Sequence, residues 1–214
     1  MGCYAVLVDG GFIKRKLGTA AHPMTAATFQ TFLTALGRHA ALADFKLHRV
    51  YYYDAAPLEA TKDKPLSGGT INFATSPTAV QGRALHADLI KIPFLALRMG
   101  ELGFRGWSLD SRLFRANMIS TEIRITAADL SPNIQQKGVD MRVGLDIAAL
   151  TLKKLVNVIV LVTADSDFVP AMKFARREGA QLMLVHLGNA LMQTMVEHSD
   201  LVLELPGYPP PRGA

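Results

Sequence analysis

Two aliphatic runs that lie far apart in the chain are each followed by aspartate. This is the sequence feature that most restricts which fold the chain can adopt. Residues 4–8 run into Asp9-Gly10-Gly11, and residues 158–163 run towards Asp165 and Asp167. Nearly continuous Val, Ile and Leu are typical of strands buried on both faces, as in parallel sheets. The carboxyl ends of such strands meet in a crevice at one edge of the sheet. We therefore expect the three aspartates to lie close together there.

Crowded carboxylates repel one another unless a cation or shared protons neutralise them, and we favour a divalent cation. Mg²⁺ prefers one or two carboxylates and retains several water molecules. The hydroxyls of Thr163 and Ser166 could orient a carboxylate or a water molecule. The simpler interpretation is that Asp9 and one of the later aspartates only cap the helices that follow them. Two aspartates within three residues, Asp165 and Asp167, are more than capping requires.

A further acidic segment contains Asp140 and Asp146, on a helix predicted to begin at Val139. Near a helix N-terminus, Asp140 is commonly explained by capping or by the helix dipole. Asp146 lies six residues further on, about 240° around the helix axis, so both carboxylates cannot point the same way within a regular helix. We favour Asp140 as the closer cation ligand and Asp146 as a residue that supports it.

Strands predicted at 4–8, 45–53, 158–163 and 181–186 alternate with helical segments along the whole chain. This alternation predicts a three-layer α/β sandwich with a mostly parallel central sheet.

The middle of the chain is less regular. We predict a long loop at 55–79 and a helix from Val80 towards Met99, kinked or broken at Pro93. Strand-like pieces follow at 104–109 and 119–126, and a second loop is predicted at 127–138.

Lys and Arg total 23 against 18 acidic residues, which gives a formal charge of +5 and a pI near 9.4. This balance permits an anionic partner such as a nucleic acid without requiring one. Two basic regions are candidates for phosphate contact: the run Lys14-Arg15-Lys16 and residues 80–128, which hold seven basic and four acidic side chains. We expect any binding of a nucleic acid through them to weaken as salt rises.

The single cysteine, Cys3, excludes an internal disulfide, and no Cys/His group has the spacing of a zinc site. No apolar run approaches the length that spans a membrane, and no leader segment is recognisable. We expect a soluble cytoplasmic protein without membrane association, and a homo-oligomer is possible.

Three blocks in this order resemble the signature blocks of the NYN domain family: VDGGF at 8–12, KGVD at 137–140 followed by Asp146, and TADSDF at 163–168. The closest branch is the bacterial LabA-like one, within the PIN-like nuclease superfamily. The resemblance spans residues 4–205. Many family members have Asn where this chain has Gly11, and residues 55–135 match poorly.

This resemblance implies a PIN-like, Rossmannoid domain over residues 1–205, with 55–135 a variable, substrate-facing region and 206–214 a disordered tail. It also implies a Mg²⁺- or Mn²⁺-dependent ribonuclease, which we expect to be an endoribonuclease, in which a metal activates the water that attacks the phosphodiester. The implied catalytic metal ligands are Asp9, Asp140, Asp165 and Asp167, with Asp146 nearby as a further ligand. The residues assigned to nucleic-acid binding are Lys14, Arg15, Lys16, Lys137 and Arg142.

Two other functions are compatible with the sequence. The first is an RNA-binding or other nucleic-acid-binding regulatory module of the same fold with little or no turnover, although all four aspartates are present. The second is a phosphatase acting on small phosphoesters. That chemistry usually needs a second Asp two residues after the first, and here Gly11 occupies the position.

Overall fold

The computed structural model describes residues 1–66, 68–116 and 122–209. The strands in these ranges are β1 (Gly2–Asp9), β2 (Phe45–Ala55), β3 (Thr61–Asp63), β4 (Thr70–Asn72), β5 (Leu95–Leu109), β6 (Leu130–Lys137), β7 (Val158–Val162), β8 (Gln181–Val185) and β9 (Leu201–Val202). The α-helices are α1 (Gly10–Leu17), α2 (Ala26–Gly37), α3 (Pro77–Leu89), α4 (Ser111–Ala116), α5 (Val139–Leu152), α6 (Val169–Arg177) and α7 (Gln193–Glu197).

A mostly parallel sheet forms the middle layer, with its strands in the order β6-β5-β2-β1-β7-β8-β9. Strand β1 is parallel to both of its neighbours, β2 and β7, and only the edge strand β6 is antiparallel to the strand beside it. The prediction of a mostly parallel sheet is therefore confirmed. The central position of β1 brings the end of this strand next to the ends of β2 and β7.

Helices cover both faces of the sheet. On one face, Val8 and Tyr52 pack with Phe12 of α1 and with residues of α2 and α3. On the other face, Leu7 and Tyr53 pack with residues of α5, α6 and α7. Successive side chains of a strand point to opposite faces, so each central strand contributes to both cores. The three-layer α/β sandwich predicted from the sequence is confirmed.

The region between β2 and α5 departs most from the sequence prediction. Residues 127–138 were predicted as a loop, but Leu130–Lys137 form β6, an antiparallel partner of β5. Most side chains of β6 are exposed, so the strand lacks the apolar alternation that would have identified it. Pro132 is tolerated because β6 is an edge strand.

The helix predicted from Val80 towards Met99 was also wrong in its second half. Helix α3 ends at Leu89, and β5 begins at Leu95 after Pro93. The predicted loop at 55–79 contains the antiparallel hairpin of β3 and β4. A short helix, α1, directly follows β1 and was not delimited in the sequence analysis.

Two predictions fall partly outside the described residues. Of the strand-like piece at 119–126, residues 122–126 form no helix or strand, and residues 117–121 lie outside the described ranges. Residues 210–214 of the predicted tail also lie outside them. Earlier in that segment, the Tyr208 ring packs edge-on against Phe32, with centroids 5.6 Å apart. No helix in the described ranges is both long and apolar enough to cross a bilayer.

Candidate metal centre at the carboxyl edge of the sheet

Asp9 and Asp165 are brought together because β1 and β7 are neighbours in register, with Val8 opposite Val162. Asp9 is the last residue of β1 and also caps α1, since the Phe12 N–H donates to Asp9 Oδ1 at 3.0 Å. Asp165 follows β7 and caps the next helical turn, since the Asp167 N–H donates to Asp165 Oδ1 at 2.9 Å. Both aspartates therefore act as N-caps as well as lying at the crevice.

Thr163 links the two strand ends. Its side chain is fully buried, and its hydroxyl donates to Asp9 Oδ2 at 3.2 Å. The same hydroxyl oxygen accepts from the Asp165 N–H at 3.1 Å. The expectation that Thr163 orients a carboxylate is confirmed. The Asp9 carboxylate thus has one oxygen fixed by α1 and the other by the residue that follows β7.

The N-terminus of α5 supplies the third acidic segment, with Asp140 in its first turn. Gly138 turns the chain from β6 into α5 in the left-handed region, at φ 74°. A Cβ on Gly100 of β5 would lie 2.5 Å from the Lys137 carbonyl oxygen and 2.6 Å from Val139 Cγ2. The absence of a side chain at Gly100 therefore lets the start of α5 pack directly against β5.

Four aspartates share one electrostatic environment at this edge. Desolvation and the charges of Asp165, Asp9 and Asp167 raise the pKa of Asp140 above its ordinary value. Within the described ranges, the carboxylates of Asp140 and Asp167 make no hydrogen bond or ion pair. The fold therefore gathers four carboxylates from three distant segments, and two of them have no protein partner in that part of the chain.

The donor atoms of this cluster suit a hard divalent cation, since they are carboxylate and hydroxyl oxygens. Across the part of the chain that the structure describes, no three His, Cys, Asp or Glu side chains form a group that could hold a metal ion. Mg²⁺ is commonly held by only one or two carboxylates, with water molecules completing its coordination. The cluster fits a cation held in that manner better than one chelated by three or four carboxylates.

Asp146 is not brought into the cluster. Its Oδ2 accepts from the Tyr53 hydroxyl and from Arg98 Nε, both at 2.9 Å. The Arg98 guanidinium also lies over the Tyr51 ring, 5.1 Å from its centroid. These contacts tie α5 to β2 and β5, and Asp146 is not among the charges that act on Asp140. Its carboxylate anchors the helix that carries Asp140.

Lys14, predicted to contact nucleic acid, is bound within the protein. Its ammonium lies 2.9 and 2.7 Å from the two carboxylate oxygens of Asp54, at the end of β2. His86 Nε2 lies 2.9 Å from Asp54 Oδ2. Burial alone would raise the pKa of Asp54, but the His86 hydrogen bond and the charge of Lys14 hold it below its ordinary value. No local sequence signal indicated this group, because the partners are 40 and 32 residues away from Asp54.

The other residues assigned to nucleic-acid binding lie on α1 and on either side of the start of α5. Arg15 is exposed on α1, and the Lys16 ammonium lies 5.7 Å from the centre of the Phe12 ring. Lys137 and Arg142 are exposed on either side of Asp140 in the sequence.

The basic segment 80–128 offers less free charge than its composition suggested, because four of its seven basic side chains form ion pairs. These pairs are Arg83–Glu59, Lys91–Asp88, Arg98–Asp146 and Arg112–Asp110. The side chain of a fifth basic residue, Arg115, lies outside the described part of the chain.

Comparison with known proteins gives a family match for part of the chain. Residues 100–199 match the NYN domain. The matched range runs from β5 to the end of α7 and contains Asp140, Asp146, Asp165 and Asp167. Asp9 lies outside it. The match supports the NYN family, and it does not discriminate among the branches of that family.

Two other comparisons give no function. No curated protein matches the chain. Among solved structures, the chain is similar to a protein of unknown function from Vibrio parahaemolyticus, at 13% identity and a TM-score of 0.47. The similarity covers 94% of this chain and 91% of that one.

Proposed function

We propose that this protein is a metal-dependent ribonuclease of the NYN family, in its LabA-like branch, which hydrolyses RNA phosphodiester bonds with Mg²⁺ or Mn²⁺. NYN domains are generally nucleases of the PIN-like superfamily, and the match over residues 100–199 supports this general class. The proposed domain covers residues 1–205. Asp9, Asp140, Asp165 and Asp167 are the proposed catalytic residues, and Asp146 is omitted because its carboxylate is bound to Arg98 and Tyr53.

The observation that carries this proposal is the gathering of four carboxylates at one sheet edge, none of which forms an ion pair with a residue that the structure describes. Thr163 bridges the ends of β1 and β7, and Asp140 responds to the charges of the other three aspartates. Like charges held in this way are costly unless a cation offsets them. A divalent cation bound here would polarise a phosphate and lower the pKa of a water molecule.

The protein groups have separate roles in the proposed reaction. Asp9 is held rigidly by the Phe12 N–H and the Thr163 hydroxyl, so it suits a fixed cation ligand. Among the described residues the Asp140 carboxylate makes no hydrogen bond or ion pair, so its oxygens are available to accept a proton from the attacking water. The water oxygen bonds to phosphorus as its proton passes to Asp140, the bond from phosphorus to the leaving oxygen breaks, and the leaving oxygen takes a proton from solvent.

The test is cleavage of labelled RNA and DNA by the purified protein with Mn²⁺, Mg²⁺ or EDTA. We expect RNA cleavage that requires a divalent cation and falls about 100-fold or more in Asp165→Asn. Asn caps a helix nearly as well as Asp, so this variant should remain folded. The matched control is Asp44→Asn, an exposed residue directly before β2, at the opposite end of that strand from the cluster. Wild-type cleavage by Asp165→Asn would disprove the catalytic role.

One observation favours a second function, an RNA-binding regulatory module with little turnover. Over the described ranges, the aspartates do not already form a three-residue metal-binding group. This alternative predicts RNA binding that persists in EDTA and no cleavage under any metal condition. Cleavage that is stimulated by Mn²⁺ and lost in Asp165→Asn would exclude it.

A further inference from the structure

A cleft of about 760 Å³ lies on the face of the sheet covered by α1, α2 and α3. One wall is the end of α1 with Lys14 and Arg15, and the opposite wall is α3 with Gln81 and Leu85. The loop before α2 closes a third side. The volume falls in the range of roughly 300–1,000 Å³ typical of sites for small ligands. We refer to it as the α1–α3 cleft.

Arg15 connects this cleft to the acidic cluster. A Cβ built on Gly11 would lie 3.3 Å from Asp9 Oδ1 and 3.6 Å from a guanidinium nitrogen of Arg15. The side chain of Arg15 therefore passes close to Asp9 and also lines the cleft. Within the described residues Arg15 makes no ion pair, so its charge is available to an anionic group between the cluster and the cleft.

The walls of the α1–α3 cleft have a distinct chemistry. Lys14 is neutralised by the buried carboxylate of Asp54, which leaves Arg15 as the wall residue with an available charge. Most of the remaining wall is apolar, from residues such as Met24 and Leu85, and Gln81 adds an amide. An occupant that fits has an anionic group on one side and a flat, weakly polar body with a few hydrogen-bonding groups on the other. A nucleotide has this composition.

We propose that the α1–α3 cleft binds the nucleotide of a single-stranded RNA that adjoins the scissile phosphate. The phosphate of this nucleotide contacts Arg15, and its base lies against Met24 and Leu85 within reach of Gln81. A base can enter such a cleft only when it is unpaired, so duplex RNA is excluded. This proposal rests on the proposed ribonuclease function.

The test uses a substitution that blocks the α1–α3 cleft with a large side chain. Gln81→Trp adds a large side chain at an exposed position of the α3 wall, and Ala87→Trp adds the same side chain on the same helix, away from the cleft lining. Binding of a labelled single-stranded RNA oligonucleotide is measured by fluorescence anisotropy in EDTA, where no cleavage interferes. We expect Gln81→Trp to weaken binding at least about tenfold, the scale of losing one bound base, and Ala87→Trp to bind as wild type. Thermal melting checks that both variants are folded.

Two further ligands are tested, a duplex of the same sequence and a free mononucleotide. They show whether the cleft recognises single-stranded RNA, duplex RNA or a free nucleotide. We expect binding of the duplex to be weak and equal in all three proteins. Loss of mononucleotide binding alone in Gln81→Trp, with the oligonucleotide unaffected, would overturn an RNA subsite.

These experiments distinguish a failure of the cleft proposal from a failure of the ribonuclease proposal. If wild-type protein cleaves RNA with Mn²⁺ and Gln81→Trp binds and cleaves equally well, the cleft proposal is wrong and the ribonuclease stands. If wild-type protein neither binds nor cleaves RNA, both are wrong.

Discussion

Replacing the buried carboxylate of Asp54 by an amide should destabilise the fold by about 2–3 kcal/mol. Asp54 is 4% exposed and is bound by Lys14, His86 and the Ala55 N–H at 2.7–2.9 Å. Removing one partner of a fully buried ion pair costs about 3–5 kcal/mol. The Lys14 side chain is 39% exposed, and screening by water reduces that value to the one we expect. Asn keeps one acceptor oxygen but loses the charge.

The effect of Asp54→Asn should depend on pH with a defined sign. The folded-state pKa of Asp54 lies below its ordinary value of 3.8, because the His86 hydrogen bond and Lys14 outweigh the effect of burial. A carboxylate with a depressed pKa stabilises the fold fully above its unfolded pKa, and this contribution is lost as pH falls through the folded pKa. The advantage of wild type over Asp54→Asn should therefore be complete at neutral pH and shrink below pH 3.8.

The assay is urea unfolding followed by circular dichroism, for Asp54→Asn, Lys14→Met and the double variant. Because Lys14 contacts Asp54 directly, Lys14→Met should cost at least about 1 kcal/mol less in the Asp54→Asn background than in wild type. Additivity of the two single changes within about 0.5 kcal/mol would refute the coupling. A loss below about 1 kcal/mol for Asp54→Asn at neutral pH would refute the magnitude.

Three further changes test other parts of the structure. Asp140→Asn should reduce metal-dependent RNA cleavage about 100-fold or more, and it should raise the melting temperature of the metal-free protein, because its carboxylate is repelled by the other three aspartates. Tyr52→Phe should stabilise the fold by about 1 kcal/mol in urea unfolding, since its hydroxyl is buried with no hydrogen-bond partner in the described ranges. Gly100→Ala should cost about 1–3 kcal/mol and reduce cleavage, because the new methyl group would collide with the Lys137 carbonyl and displace α5.

The sequence predicted the fold best where burial dictates composition. The runs that became β1 and β7 are apolar at almost every position because each is covered by helices on both faces. Their aspartates marked the carboxyl ends of the strands for the same reason, since a charged residue stays at the edge of a buried layer. In the structure these two strands are neighbours, and Thr163 bridges their ends.

The predictions failed where solvent exposure or pairing between distant residues, rather than burial of a continuous apolar run, determines the structure. Strand β6 has the polar sequence of a loop because it is an exposed edge, and its identity depends on pairing with β5. Residues 95–99 of β5 were assigned to a helix, because their apolar residues also fit one and only Pro93 indicated the break, whereas the strand-like piece predicted at 104–109 is confirmed as part of β5. The pairing of Asp54 with Lys14 and His86 is set by three separate elements, so no local pattern could indicate it.

Asp9 and Asp165 can be helix caps and members of a functional cluster at the same time. The Oδ1 of each carboxylate accepts a hydrogen bond from a backbone N–H at the start of a helical turn. A neutral Asn would satisfy the same hydrogen bond, so the fold requires the acceptor oxygen and does not require the negative charge. The fold is also burdened by that charge, because it adds to the repulsion that raises the pKa of Asp140. The fold does not require this negative charge, and the charge costs stability. A bound ligand of opposite charge explains it best, and a divalent cation is such a ligand.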